Sequence, residues 1–272
     1  MEHDARRRSE WLTSLALTSD LVVLGSAAEI DVTDARIVLR TPSIPALRLG
    51  NAVLFPRSPE RADVTGWRDI LRTEVGLPPA VECRIAWQGG RPSDETYEAF
   101  RALGLVRYDS LSMVASKIRG PAPASGVTVR ECADARDWAD LLRFQNLSVG
   151  PGGSGRQFLA QRLDLYRHRA AIGEAAWFAA YRDGGVVGCC GVVLGERFGR
   201  LQGMETAIAH RRFGVGRALV LAAGGWALDR ARQVVAVADP DYHAARLFES
   251  VGFRPNDLAC GLVPAATVPP AG

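Results

Sequence analysis

The chain has 272 residues, of which 47% are hydrophobic and 23% charged, and its formal net charge is +3. That length fits one large domain or two small ones, and so slight a positive balance argues against a nucleic-acid partner. No apolar run approaches the ~20 residues that a membrane-spanning helix needs, so no membrane association is expected.

The first twenty residues carry basic groups, but Thr and Ser interrupt their apolar part, which makes a poor signal peptide. Five cysteines, Cys83, Cys132, Cys189, Cys190 and Cys260, are odd in number and none stands at C-x-x-C spacing. They predict no metal site and fit a reducing cytoplasm. Residues 80–88 pattern as a strand, 93–105 as a helix and 106–116 as a second strand. Residues 118–126, "IRGPAPASG", read as a linker. The expected division is therefore 1–119, a linker at 120–126, a second domain at 127–265 and a flexible tail at 266–272.

Downstream, residues 127–132 alternate like a strand. Trp138, Leu141, Leu142 and Gln145 recur at helical spacing. "GPGGSG" at 150–155 reads as a loop, either a lid or a plain connector. A second helix follows over 156–173. Residues 175–209 read as three strands, with "RDGG" as a hairpin turn. A helix runs to about Arg232, a short strand covers 233–239, a helix ends at Gly252, and a last strand lies around 258–263. Trp138, Trp177 and Trp226 are expected in the core, and His168 in solvent. Strand, polar turn, helix, glycine plus apolar residue, and strand occur in both halves, with Gly104 and Leu105 matching Gly252 and Phe253. An internal duplication explains this, and so does a coincidence of common units.

The chemistry concentrates in "RRFGVGRAL", residues 211–219. A helix N-terminus carries uncapped N–H donors and a partial positive charge. Gly214 and Gly216 let backbone approach a phosphate closely, and Arg211, Arg212 and Arg217 add charged donors. A diphosphate is the expected guest. The spacing is neither a Walker loop, which needs Gly-Lys-Ser/Thr, nor a dinucleotide fingerprint, because Leu219 stands where the third glycine belongs. Taken alone, the segment also reads as a surface turn with scattered arginines.

Together with "ARLFESVGF" downstream, the loop resembles the GCN5-related N-acetyltransferase (GNAT) family. Arg211, Gly214 and Gly216 satisfy that family's Gln/Arg-x-x-Gly-x-Gly/Ala pattern. Asp241, Ala244, Leu247, Phe248, Gly252 and Phe253 occupy the places of its later motif. The resemblance spans about 127–265 and implies a mixed-sheet α/β fold of acyl-CoA N-acyltransferase type, with a degenerate copy in the first half. It implies acetyl-CoA as co-substrate, its diphosphate on the amides of Arg212, Phe213, Gly214, Val215, Gly216 and Arg217. Its pantetheine arm would run beside Met204 and Thr206, where two neighbouring strands splay. The resemblance also implies an acceptor amine that attacks directly, expected to be a small molecule rather than a protein amino group.

Glu205 is the candidate general base, with Glu174 a weaker one. Strand alternation points Glu205 away from Met204 and Thr206, and puts Gln202 on the opposite face from it, unless a bulge intervenes. Phe248 stands where the family often has a proton-donating tyrosine, and Tyr242 or His243 are the substitutes at hand. Asp241 is a candidate helix cap. Two rival readings remain: a non-catalytic acyl-CoA-binding protein and a nucleotide-binding protein. A homodimer is compatible with the sequence.

Overall fold

The structure is a computed structural model that describes residues 10–121, 126–149 and 153–265. The chain forms two compact units: Met1–Ser112 together with Asp257–Gly272, and Met113–Asn256.

In the first unit, α1 (Leu15–Leu24) starts at Ser14, whose hydroxyl accepts a hydrogen bond from the amide of Leu17. A sheet follows in which β1 (Glu29–Val32), β2 (Ile37–Arg40) and β3 (Ala52–Phe55) are antiparallel neighbours. Helix α2 (Val64–Glu74) then crosses over to β4 (Arg84–Trp87), which is parallel to β3. After α3 (Asp94–Ala102), β5 (Leu105–Ala115) runs across the division between the units. The strand beyond β4 in this unit comes from the other end of the chain. β11 (Arg254–Pro264) pairs antiparallel with β4, setting Cys260 opposite Trp87. Phe55 and Trp67 stack at 3.8 Å in a core that also holds Leu71, Ile85, Trp87, Phe100 and Leu262.

The second unit has the order β10-β9-β8-β7-β6. β6 (Thr128–Glu131), β7 (Ala175–Arg182), β8 (Gly185–Leu194) and β9 (Phe198–Thr206) are antiparallel in turn, and β10 (Gln233–Ala238) is parallel to β9. The β7–β8 hairpin closes on Asp183 (φ 51°) and Gly184 (φ 80°), a two-residue turn with both residues left-handed. Helix α6 (Val215–Leu228) packs on β7, β8 and β9, burying Leu219, Val220, Ala223 and Ala227 completely. A Cβ on Gly199 would lie 2.6 Å from that of Ala227, so only glycine lets β9 and α6 approach this closely. Helices α4 (Ala135–Asn146) and α5 (Gly153–Ala171) pack together and against β8 and β7 respectively. The short α7 (Ala244–Glu249) follows β10, and Phe248 packs on Phe253 at 5.3 Å.

Several expectations need correction. The described part of the expected linker is packed chain: Arg119 donates to the carbonyl of Val251, and Ile118 lies against Gly224 of α6. The division falls at Ser112/Met113 and again at Asn256/Asp257, so most of the last strand groups with the first unit. Of the "GPGGSG" loop, residues 150–152 lie outside the described residues, and Gly153–Gly155 open α5. Residues 122–125 and 266–272 also lie outside them. Trp138 and Trp177 are buried, but Trp226 is half-buried beneath the guanidinium of Arg230, 4.0 Å from its ring centre. His168 is exposed.

Candidate acyl-CoA site and its acceptor face

β9 and β10 pair over three positions only, Phe198–Arg200 against Gln233–Val235, and then part. Beyond them β9 continues to Thr206 and β10 to Ala238. A cavity of about 260 Å³ lies in the opening, lined by Leu201 to Met204 on one side and Val237 to Asp239 on the other, with Phe248 at its base. Unpaired strand edges present N–H and C=O groups that an extended ligand can use as an added strand would.

A second cavity of about 670 Å³ adjoins it, sharing Met204, Tyr242 and Ala244. Its floor is the start of α6. Gly214 is the N-cap in left-handed conformation (φ 78°, ψ 2°), and no side chain caps the helix. Arg212 also has positive φ (69°). Left-handed residues on either side of Phe213 turn the chain sharply where it enters the helix. A Cβ on Gly216 would meet Leu247 at 3.1 Å and point into the same space. Two buried donor-bearing atoms here, His210 Nδ1 and Arg217 Nε, have no partner. A cradle of free amides, cationic side chains and unpartnered nitrogens fits a phosphorylated anion.

Met204, Glu205, Thr206, Arg211, Arg212, Gly214, Val215, Gly216, Arg217 and Tyr242 all line this cavity. The side chain of Phe213 turns away from it and lies beneath Arg182, whose guanidinium is 4.7 Å from the ring centre. Tyr242 is half exposed and leans on His243, ring centres 3.8 Å apart. Asp241 caps nothing: Asp239 accepts from the amide of Asp241 in a local turn, and His243 is the N-cap of α7. His210 also lines this cavity, and its place directly before Arg211 in the loop is its signal in the sequence.

Gly203 carries a bulge. Cys189 stands opposite Glu205, whereas Gly191 stands opposite Gln202, so β9 has one residue more than β8 over this stretch. Gly203 absorbs it at φ 60°. The consequence is that Gln202 and Glu205 serve the same face, contrary to simple alternation. Gln202 donates to the hydroxyl of Tyr166 on α5, and Glu205 Oε1 accepts at 2.7 Å from Ser148, just beyond α4. Ser148 Oγ is also 2.8 Å from the carbonyl oxygen of Gln145. The one hydroxyl proton can go to only one of these two acceptors at a time, and when it is donated to Glu205 it ties the carboxylate to the end of α4. Ser148 was not singled out in the sequence because a serine after a helix has many local uses.

Glu174 sits elsewhere, in an ion pair with Arg169 at 3.0 Å. The five cysteines are buried free thiols. Burial pushes Cys189 up to about 12, and the same cause raises Cys190, so neither is an available nucleophile near neutral pH. Among the described residues no group of three or more His, Cys, Asp or Glu could hold a metal ion. No described helix is long and apolar enough to cross a membrane.

This geometry agrees with what the chain is similar to. Residues 173–255, within the second unit, match the family model described as an acetyltransferase (GNAT) domain. Three solved structures extend the likeness to the fold of the whole chain. A GCN5-related N-acetyltransferase from Kribbella flavida is 14% identical, covers 96% of this chain and 97% of its own, and superposes with a TM-score of 0.63. A functionally unknown conserved protein from Staphylococcus epidermidis ATCC 12228 is 13% identical over 90% of this chain and 97% of its own, at 0.67. A tandem GNAT protein from the clavulanic acid biosynthesis pathway is 15% identical over 96% and 95%, at 0.50. At these identities the likeness concerns fold alone, and that fold is the mixed α/β fold of GNAT proteins. No curated protein sequence matches the chain.

Proposed function

We propose that the protein is an N-acetyltransferase that moves an acetyl group from acetyl-CoA to the primary amine of a small molecule. The observation that carries this reading is the α6 N-terminus. It is glycine-capped, lacks a side-chain cap and opens on a cavity ringed by Arg211, Arg212 and Arg217. The amides from Arg212 to Arg217 would hold the diphosphate, and the free edge of β9 near Met204 and Thr206 would pair with the pantetheine arm.

Acetyl-CoA supplies an activated carbonyl carbon and a good leaving group. The chain's residues have three tasks around it. Glu205, held by Ser148, would take the proton that the ammonium acceptor must lose before its lone pair can attack. An amide of the parted β9 edge would donate to the carbonyl oxygen as negative charge grows there. The C–N bond forms as the C–S bond breaks, the thiolate leaves with the electron pair, and the nitrogen sheds its second proton to solvent as it becomes an amide. Tyr242, which lines both cavities, would protonate the thiolate in place of the tyrosine that Phe248 replaces.

The test is to incubate the protein with acetyl-CoA and a panel of primary amines and to follow free thiol. Amine-dependent thiol release supports the reading. Tight CoA binding without release on any amine favours a binding protein instead, and stronger thermal stabilisation by ATP or NAD than by CoA defeats both.

A further inference from the structure

On the face of the sheet served by Glu205, three arginines have a carboxylate partner, and Arg136, Arg156 and Arg167 stand exposed to solvent. Arg130 pairs with Asp137 at 2.6 Å, Arg143 with Asp140, and Arg169 with Glu174. Arg162 of α5 is different. Half-buried, it forms no ion pair among the described residues. Its Nε is buried without any partner. Its one side-chain hydrogen bond, Nη2 to Gln145 Oε1, is long at 3.4 Å. Its guanidinium rests near the ring of Phe158, 5.2 Å from the centre, which keeps water from one side. A guanidinium partly withdrawn from water with no counter-charge favours a ligand that supplies one.

Its position relative to Glu205 gives that ligand a shape. Gln145 joins the two. Its side-chain oxygen meets Arg162, its amide nitrogen reaches Cys189 Sγ at 3.6 Å, and its backbone carbonyl meets Ser148, which holds Glu205. Cys189 in turn stands opposite Glu205 in the β8–β9 ladder. A cation lacking a carboxylate and a carboxylate lacking a cation thus stand at opposite ends of one hydrogen-bonded chain. A ligand that is positive at one end and negative at the other completes both.

We propose that the acceptor is an amino acid, a primary amine that carries a free carboxylate. Its amine faces Glu205 and its carboxylate takes the two terminal Nη groups of Arg162 as a bidentate pair. The proposal rests on the acyl-transfer reading of the same site, and it narrows the acceptor from any small amine to one charge pattern.

The experiment compares the proteinogenic L-amino acids with their methyl esters, which keep the amine and side chain and lose the negative charge. Thiol release from acetyl-CoA gives kcat/KM for each. The best amino acid should exceed its ester by about 100-fold, and the ratio should collapse towards unity in Arg162→Met while Arg162→Lys retains part of it. Retained acetyl-CoA affinity and cooperative unfolding in Arg162→Met establish that the variant is folded. Should esters react as well as acids, or should Arg162→Met leave the ratio intact, the amino-acid proposal falls while the acetyltransferase reading stands. If no amine of either kind reacts, the acetyltransferase reading falls. Thermal shift by the same compounds in the presence of CoA then decides the Arg162 proposal: stabilisation by acids over esters, lost in Arg162→Met, upholds it, and its absence overturns it.

Discussion

In the first unit β3 leads through residues 56–63 into α2, and in the second β9 leads through residues 207–214 into α6. Both segments connect a strand to the helix that crosses over to a parallel neighbour. Before α2 the chain provides its own anions. Glu60 and Asp63 form a reciprocal capping box on the short turn that enters the helix, and Arg57 grips Asp63 with both terminal nitrogens, at 2.7 and 2.9 Å. The hydrogen bonds from Arg57 hold the Asp63 carboxyl below its usual range. Before α6 the place of the carboxylates is taken by Gly214, and the surrounding arginines are left for a guest. The lesson is that an anion-binding helix start and a self-capped one differ by whether the chain brings the negative charge itself.

The largest effect that would break this contrast comes from Gly214→Val with Gly216→Val. A β-branched residue does not tolerate φ near 78°, and the second side chain would fill the cradle. CoA affinity measured by calorimetry should fall at least about 100-fold, and an unchanged affinity would remove α6 as the diphosphate site. Glu205→Gln comes next. It should lower kcat by about 10²- to 10⁴-fold and leave CoA binding alone, and a normal kcat would assign the base elsewhere. Ser148→Ala should cost about tenfold in kcat, Ser148→Thr much less, and neither should add to Glu205→Gln, because Ser148 acts through Glu205.

The smallest effect belongs to the first unit. Asp63→Asn should leave CoA affinity unchanged and lower stability by about 1 kcal/mol near pH 7. A carboxyl with a depressed folded pKa stabilises above its unfolded value and loses that contribution as pH falls through the folded one. The gap between thermal melts of wild type and variant should therefore begin to narrow as pH falls below about 4 and close only below the depressed folded value. CoA titration of the wild type should saturate at one equivalent per chain, and a second equivalent abolished by Asp63→Asn would erase the contrast.

The second unit was largely legible because its signals are local. The turn at Asp183–Gly184, the helices carrying Trp138 and Leu247, and the glycines before α6 each declare themselves within a few residues. The parting of β9 from β10 was expected only through the family resemblance. The bulge at Gly203 was named as a condition and not foreseen, because register depends on the partner strand β8. The face shared by Gln202 and Glu205 follows from that bulge and was hidden with it. In the first unit, α1, β1 to β3 and α2 went unread, since four-residue strands such as β2 and β3 give too few residues for a period. Arg162 looked like any arginine on a basic helix. Its singularity lies in burial: of the α5 arginines it alone is withdrawn from solvent without a carboxylate partner among the described residues.

The pairing of Cys260 to Leu262 with Ile85 to Trp87 makes the first unit discontinuous in sequence. A gene fragment ending at residue 112 would translate a polypeptide whose β4 has a bare, apolar border, inviting intermolecular association. On the ribosome the N-terminal part must likewise wait for the final residues before this edge is closed. Tags or truncations placed at the carboxyl end should accordingly damage the part of the molecule that is encoded first.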